Sequence, residues 1–152
     1  MDYFEKVEAS LSELCEECVN YATDRCVKSK CYIGFAANAI RAAKVNGEKV
    51  ITDGSKLIPK EDMKFYEKSS ISKSIANVCR LCKECKENHS EDCIISLTRR
   101  SLESTHLQEA VAYPGNVLMY LVNVAKQNVD FADNIKNQYM QLGWNLPIIS
   151  KL

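Results

Sequence analysis

Apolar residues recur at steps of three and four along most of the chain, which is the spacing of one face of an α-helix. The pattern predicts six helices, over residues 2–18, 32–45, a long segment after Pro59, 93–112, 117–124 and 130–143. The segment 117–124 is apolar on nearly every side, which is typical of a central buried helix or of a partner surface. The chain is therefore expected to be an all-α bundle.

Short polar stretches mark where the predicted helices begin and end. Gly47 should end the second helix, because glycine adopts the left-handed conformation at low cost. Glu61 and Asp62 follow Pro59 and suit the positive N-terminal end of a third helix. Between Gly47 and Pro59, residues 48–58 carry two β-prone runs around an Asp-Gly pair, and they fit a short β-hairpin or a plain loop equally well.

Length and composition favour one globular domain spanning residues 1–152. Hydrophobic residues make up 46% of the 152 residues, which is enough for a sizeable core. The 20 basic and 20 acidic residues balance, and this argues against a dedicated nucleic-acid-binding protein. No apolar run approaches the roughly 20 residues of a membrane span. The N-terminus does not resemble a signal peptide, so we expect a cytoplasmic protein with reduced thiols.

The eight cysteines fall into two groups of four and change this picture most. They are Cys15, Cys18, Cys26 and Cys31 in the first group, and Cys79, Cys82, Cys85 and Cys93 in the second. Each group contains the spacing C-x2-C-x7-C, which aligns Cys26 with Cys93. A second alignment instead pairs Cys31 with Cys93, since both open a helix. Either way the sequence indicates two duplicated helix–Cys-loop–helix hairpins, over 2–46 and 61–112, followed by two helices within 114–143.

Four thiolates from two short stretches can bind either one tetrahedral zinc ion or one [4Fe–4S] cluster. All eight cysteines are therefore predicted metal ligands in two four-cysteine sites. His89 lies between Cys85 and Cys93, and we interpret it as a loop surface residue. His106 has no neighbour at ligand spacing. No catalytic constellation is present, which argues against an enzyme.

The run Cys79-x2-Cys82-x2-Cys85 resembles the three-cysteine run of bacterial ferredoxins. The resemblance implies that each of these cysteines holds one iron, and that Cys31 and Cys79 could exchange between the two sites. It covers seven positions, and the family's following C-x3-C-P step is absent. A weaker similarity to zinc knuckles covers Cys82 to Cys93 through His89, but the later spacers are each one residue short.

We interpret the chain as an electron-transfer protein with two [4Fe–4S] clusters, acting as a small carrier or as a redox-complex subunit with a redox partner protein. A six-helix domain should not need the folding energy that structural zinc supplies. The alternative is a zinc-stabilised interaction or regulatory module with two Zn²⁺ ions. A thiol redox sensor is the third interpretation.

The duplication also predicts a geometry. If the first four helices alternate up, down, up and down, both cysteine loops share one end of the bundle and residues 47–60 lie at the other. Two sites would then be about 10–15 Å apart.

Overall fold

The computed structural model describes residues 3–84 and 92–143, and this part of the chain is helical without a β-strand. Its helices are α1 (Tyr3–Glu16), α2 (Tyr32–Asn46), α3 (Lys68–Glu84), α4 (Ile94–Glu103), α5 (Val117–Ala125) and α6 (Val129–Gln141). Two short 3₁₀ helices, Lys28–Lys30 and Gly54–Leu57, lie in the connections. The all-α bundle is confirmed. None of these helices combines the length and the apolar character that crossing a membrane requires.

Side chains and glycines set several helix ends where the sequence predicted them. Gly47 follows α2 with φ of 67°, the left-handed conformation expected of it. Asn116 begins α5 by accepting a hydrogen bond from the Met119 amide. The last helix was expected to begin at Asp130, but α6 begins at Val129. Its cap is Asn128, which accepts a hydrogen bond from the Phe131 amide. These bonds satisfy amides that have no partner within the helix.

Helix α3 occupies the centre of the bundle and packs against α1, α4 and α6. Its inward face carries Ile71, Ile75 and Val78, all fully buried. Helix α5 packs on α6 and buries five of its nine residues. Met119 and Val122 on α5 are about half exposed, so this helix is buried on one side rather than all round.

Helices α1 and α3 run antiparallel. Arg80, near the end of α3, donates to the hydroxyl of Tyr3 at the start of α1 (2.9 Å). Ser70, near the start of α3, lies 3.4 Å from the carboxylate of Glu17, just beyond the end of α1. These two contacts fix the direction of α3 relative to α1.

Helices α2 and α4 also run antiparallel. The Ser101 hydroxyl, late in α4, donates to the carbonyl of Tyr32 at the start of α2 (2.7 Å). At the other end, Val50 forms an isolated antiparallel bridge with Cys93, directly before α4. The amide of Ile94 donates to the Lys49 carbonyl at 3.0 Å. Residue 93 therefore lies at the end of the bundle where α2 finishes.

The prediction that both cysteine groups share one end of the bundle is consequently wrong. Residues 58–67 form no helix and return along the bundle from the end of α2 to its beginning, so α3 starts beside the first cysteine group and runs away from it. Cys82 lies about 18 Å along the α3 axis from Ser70, at 1.5 Å per residue. The hairpins α1–α2 and α3–α4 therefore pack head to tail.

Three local predictions also need correction. Residues 48–58 do not form a β-hairpin, because Lys49 and Ile51 bond to Ile94 and Asp92, and the backbone bonds within the segment are those of a turn and the 3₁₀ helix Gly54–Leu57. The long helix after Pro59 begins at Lys68, because Asp62 bonds to the distant Tyr32 amide and to Lys64 and Tyr66, and these bonds hold residues 62–66 in an extended conformation. The helix predicted over 93–112 ends at Glu103.

Candidate metal centre

The four cysteines of the first group line one cavity at the end of the bundle where α1 finishes and α2 begins. The cavity has a volume of about 40 Å³. Apolar side chains of Leu14, Val27 and Ile33 share the lining. Cysteines up to sixteen residues apart in sequence thus line one cavity.

Each of these cysteines is placed by local backbone structure. Cys15 lies in the last turn of α1, and Cys18 follows in a turn whose amide donates to the Cys15 carbonyl at 3.1 Å. Cys26 closes a further turn on Thr23 (3.2 Å). Cys31 is the N-cap of α2, and its sulfur accepts from the Gly34 amide at 3.4 Å. Sulfur thereby takes the place that a serine or aspartate oxygen usually has.

Gly34 allows the cysteine loop to pack closely on α2. A Cβ atom at this position would lie 2.6 Å from the carbonyl oxygen of Lys28 and 2.7 Å from its Cα. Both are backbone atoms, so a side chain here would displace the loop between Cys26 and Cys31. A position that the sequence shows only as a helical glycine is therefore part of the site.

An extended segment of the connection between α2 and α3 covers the cavity. Residues 62–66, which we call the strap, alternate in orientation as extended backbone does. Lys64 and Tyr66 line the cavity. Met63 and Phe65 point outward and are 91% and 89% exposed. This alternation, polar or aromatic inward and apolar outward, contradicts the helical period that we predicted for the segment.

Asp62 fastens the strap to the start of α2. Its carboxylate accepts from the Tyr32 amide at 2.9 Å, from the Lys64 ammonium at 2.8 Å and from the Tyr66 hydroxyl. Burial alone would raise the pKa of Asp62, but the hydrogen bonds from Lys64, Tyr66 and Tyr32 outweigh it and hold that pKa below its usual value. The Tyr66 oxygen also lies 3.4 Å from the Cys31 sulfur.

The other three cysteines lie close enough to Cys15 to affect its pKa. Burial, followed by the charges of Cys31, Cys26 and Cys18, raises the pKa of Cys15. A bound metal ion would supply the positive charge that favours the thiolate form of Cys15. Across residues 3–84 and 92–143, no three side chains of His, Cys, Asp or Glu already converge as the ligand shell of an ion. Metal binding here requires the sulfurs to move closer together.

The described cysteines of the second group, Cys79, Cys82 and Cys93, lie at the opposite end of the bundle. Cys79 and Cys82 are buried one turn apart on α3, and burial followed by Cys82 raises the pKa of Cys79 well above its usual value. Cys93 immediately precedes α4 and is partly exposed. Cys85 and His89 lie outside the described residues. The exchange of Cys31 and Cys79 between sites is wrong, because these cysteines are at opposite ends.

The positions of the cysteines distinguish between the two alignments of the repeat. Cys31 and Cys93 both occupy N-cap positions, directly before α2 and α4. Cys26, which the gapless alignment pairs with Cys93, lies in an exposed turn instead. The structure therefore favours pairing Cys31 with Cys93.

A buried ion pair beside the second group was not predicted from the sequence. Arg99 Nε lies 2.8 Å from Glu103 Oε2, and Tyr120 donates to the same oxygen at 2.6 Å. The rings of Tyr113 and Tyr120 lie 5.3 and 5.2 Å from the guanidinium carbon. Burial, then the charges of Cys79 and Cys82, raises the pKa of Tyr113, which places Tyr113 near both thiols.

Two remaining features do not contribute to the candidate centre. His106 stacks on Phe131 with ring centroids 5.0 Å apart and has no cysteine partner among its described contacts. An open cleft of about 530 Å³ between residues 55–60 and 104–110 is larger than the cysteine cavity but contains no cysteine.

Comparison of the chain with protein-family models, with curated proteins and with solved structures gave no match.

Proposed function

We propose that the protein binds a metal ion through Cys15, Cys18, Cys26 and Cys31. The observation that carries the proposal is the single cavity lined by all four side chains. Four thiolates are the ligand set of structural zinc, which binds sulfur at about 2.3 Å in a tetrahedral arrangement. Free cysteines placed for packing alone would lie on the buried faces of helices, whereas Cys18 and Cys26 lie in turns outside the helices.

The size of the cavity favours a single ion. A volume of about 40 Å³ accommodates one ion or very few water molecules. The eight atoms of a [4Fe–4S] core would require the surrounding loop to move outward. Zinc is therefore the metal that we propose for this site.

The loop around the site supports a structural role for the metal. None of the residues 17–30 is buried, so core packing does not hold this segment in place. Ala22 in this loop has φ of 58°, a left-handed conformation that costs a non-glycine residue about 1–2 kcal/mol. Structural zinc contributes roughly 10–16 kcal/mol in small modules, which is ample to order such a loop. The bundle does not need this contribution, but the loop does.

The functional role that follows is a zinc-stabilised interaction module. The ordered loop presents Val19 and Tyr21 to solvent, and Val19 is 84% exposed. Exposed apolar residues beside a rigid metal site are suited to contact with a partner protein. We propose that the metal fixes the conformation in which these residues are displayed.

Electron transfer through [4Fe–4S] clusters is the second candidate function. It is favoured by the Tyr66 hydroxyl, 3.4 Å from the Cys31 sulfur, and by the ammonium of Lys64 at the same cavity. Hydrogen bonds and charges at the sulfurs are the features by which proteins tune the potential of a cluster. A second site formed by Cys79, Cys82, Cys85 and Cys93 stays a prediction under either function.

Metal analysis and a visible spectrum of anaerobically purified protein test the proposal. We expect colourless protein that contains zinc, and we expect Cys15→Ser to lose one zinc equivalent per chain. Cys93→Ser, which alters the other end of the bundle, should retain the zinc of the first site. Full zinc content in the Cys15→Ser protein would contradict the proposal. Brown protein with about four irons per site, bleached by dithionite, would establish the second candidate instead.

A further inference from the structure

Lys64 is the one cationic side chain that lines the four-cysteine cavity within residues 3–84 and 92–143, and Lys28 is a second cation whose charge acts on Cys15 from the cysteine loop. Lys64 belongs to the strap, more than thirty residues from Cys31, and nothing in the local sequence marks it. Its side chain is 24% exposed, so most of its length is covered by the site. Its ammonium is held 2.8 Å from Asp62, a carboxylate that is 1% exposed.

The position of Lys64 matters because a zinc ion does not balance four thiolates. Four sulfur charges and one divalent cation leave a net charge of −2 in a partly buried cavity. Burial opposes the charged form of Lys64, but the hydrogen bond to Asp62 and then the charges of Cys31, Asp62 and Cys18 raise the Lys64 pKa. An ammonium has three donors, and the Asp62 oxygen accepts one of them.

We infer that Lys64 is the positioning residue that compensates the negative charge of the metal–thiolate centre, with Asp62 orienting its ammonium. The inference rests on the proposed function, since it requires metal at the first cysteine group. Asp62 orients the ammonium through the 2.8 Å contact, and the Tyr32 amide at the positive end of α2 donates to the same carboxylate and offsets part of its charge.

Zinc titration of metal-free protein, with a competing chelator, tests the inference. Partners outside the ligand shell typically change metal affinity 10–100-fold, so Lys64→Met should weaken Zn²⁺ binding by about that factor. Lys64→Arg restores the charge and should bind within about threefold of the original protein. Lys60→Met removes a lysine from the same connection outside the cavity and should leave the affinity unchanged.

Thermal unfolding of the same metal-free variants separates a charge effect from a merely structural tie. The inference is wrong if Lys64→Met lowers the unfolding free energy of metal-free protein by as much as it lowers the free energy of zinc binding and Lys64→Arg fails to restore binding. The inference also fails if Lys64→Met binds zinc normally while Cys15→Ser does not, and the proposed function then stands. Failure of the unmodified protein to bind zinc would overturn the proposed function itself.

Discussion

Replacing Arg99 with methionine should destabilise the protein strongly. The side chains of Arg99 and Glu103 are only 3% and 2% exposed, and their atoms meet at 2.8 Å. Methionine keeps much of the length of arginine but leaves the carboxylate of Glu103 buried without its cation. Burial raises the pKa of Glu103 despite the opposing effect of Arg99 and the hydrogen bond from Tyr120, so the carboxylate is already destabilised.

The magnitude follows from the burial of both partners. Removing one member of a buried ion pair costs about 3–5 kcal/mol, because the remaining charge stays in the interior. For a chain of about 150 residues this corresponds to a melting temperature lower by about 6–20 °C. Replacing both residues, as Arg99→Met with Glu103→Leu, removes both charges and should be far less destabilising than the two single changes together.

Urea and thermal unfolding of the two single variants and the double variant form a double-mutant cycle. The measurement should be made on metal-free, reduced protein so that metal binding does not contribute to the result. An Arg99→Met protein within about 1 kcal/mol of the original would refute the reasoning. A double variant whose loss of unfolding free energy equals the sum of the two single losses would also refute it, because such losses add for independent sites but not for paired ones.

Two further predictions concern the metal site and pH. Gly34→Ala should weaken zinc binding, because the new Cβ would displace backbone at Lys28. Its control, Gly47→Ala, should lower the unfolding free energy by about 1–2 kcal/mol without changing zinc affinity. Zinc titration measures the affinity and urea unfolding the stability, and equal zinc affinity in the two variants would contradict the prediction for Gly34. Burial lowers the pKa of His106 in the folded protein. Its contribution to stability is therefore complete above the unfolded pKa of about 6.5 and is lost as pH falls through the folded pKa. His106→Ala should remove this pH dependence of the unfolding free energy while leaving the zinc content unchanged.

Helix positions were predictable where the local pattern is strong. The second and fifth helices were assigned within a residue or two, because an uninterrupted apolar pattern and a glycine or asparagine at the boundary act within one turn. Residues 59–67 were misassigned for a physical reason. An acidic pair after a proline is typical of a helix start, but the Asp62 carboxylate satisfies the amide of Tyr32, thirty residues earlier in the chain.

The sequence grouped the four candidate ligands of the site but did not indicate their surroundings. The spacing of Cys15, Cys18, Cys26 and Cys31 was sufficient to group them, because short connections keep their sulfurs close. Lys64 and Tyr66 reach the site through tertiary packing, which no short-range spacing records. The alternation of residues 63–66 was the one available signal, since it indicates an extended segment with two faces.

The head-to-tail packing of the two hairpins has a consequence for how the body of the protein is organised. Exchanging α1 with α3, and α2 with α4, reproduces the observed antiparallel pairs, which is the relation produced by a two-fold axis. Two identical copies of one hairpin would meet in the same way through a self-complementary interface. The four-helix body thus has the helix arrangement of a two-fold dimer within one chain, with residues 47–67 joining its halves and α6 covering α3 on one side.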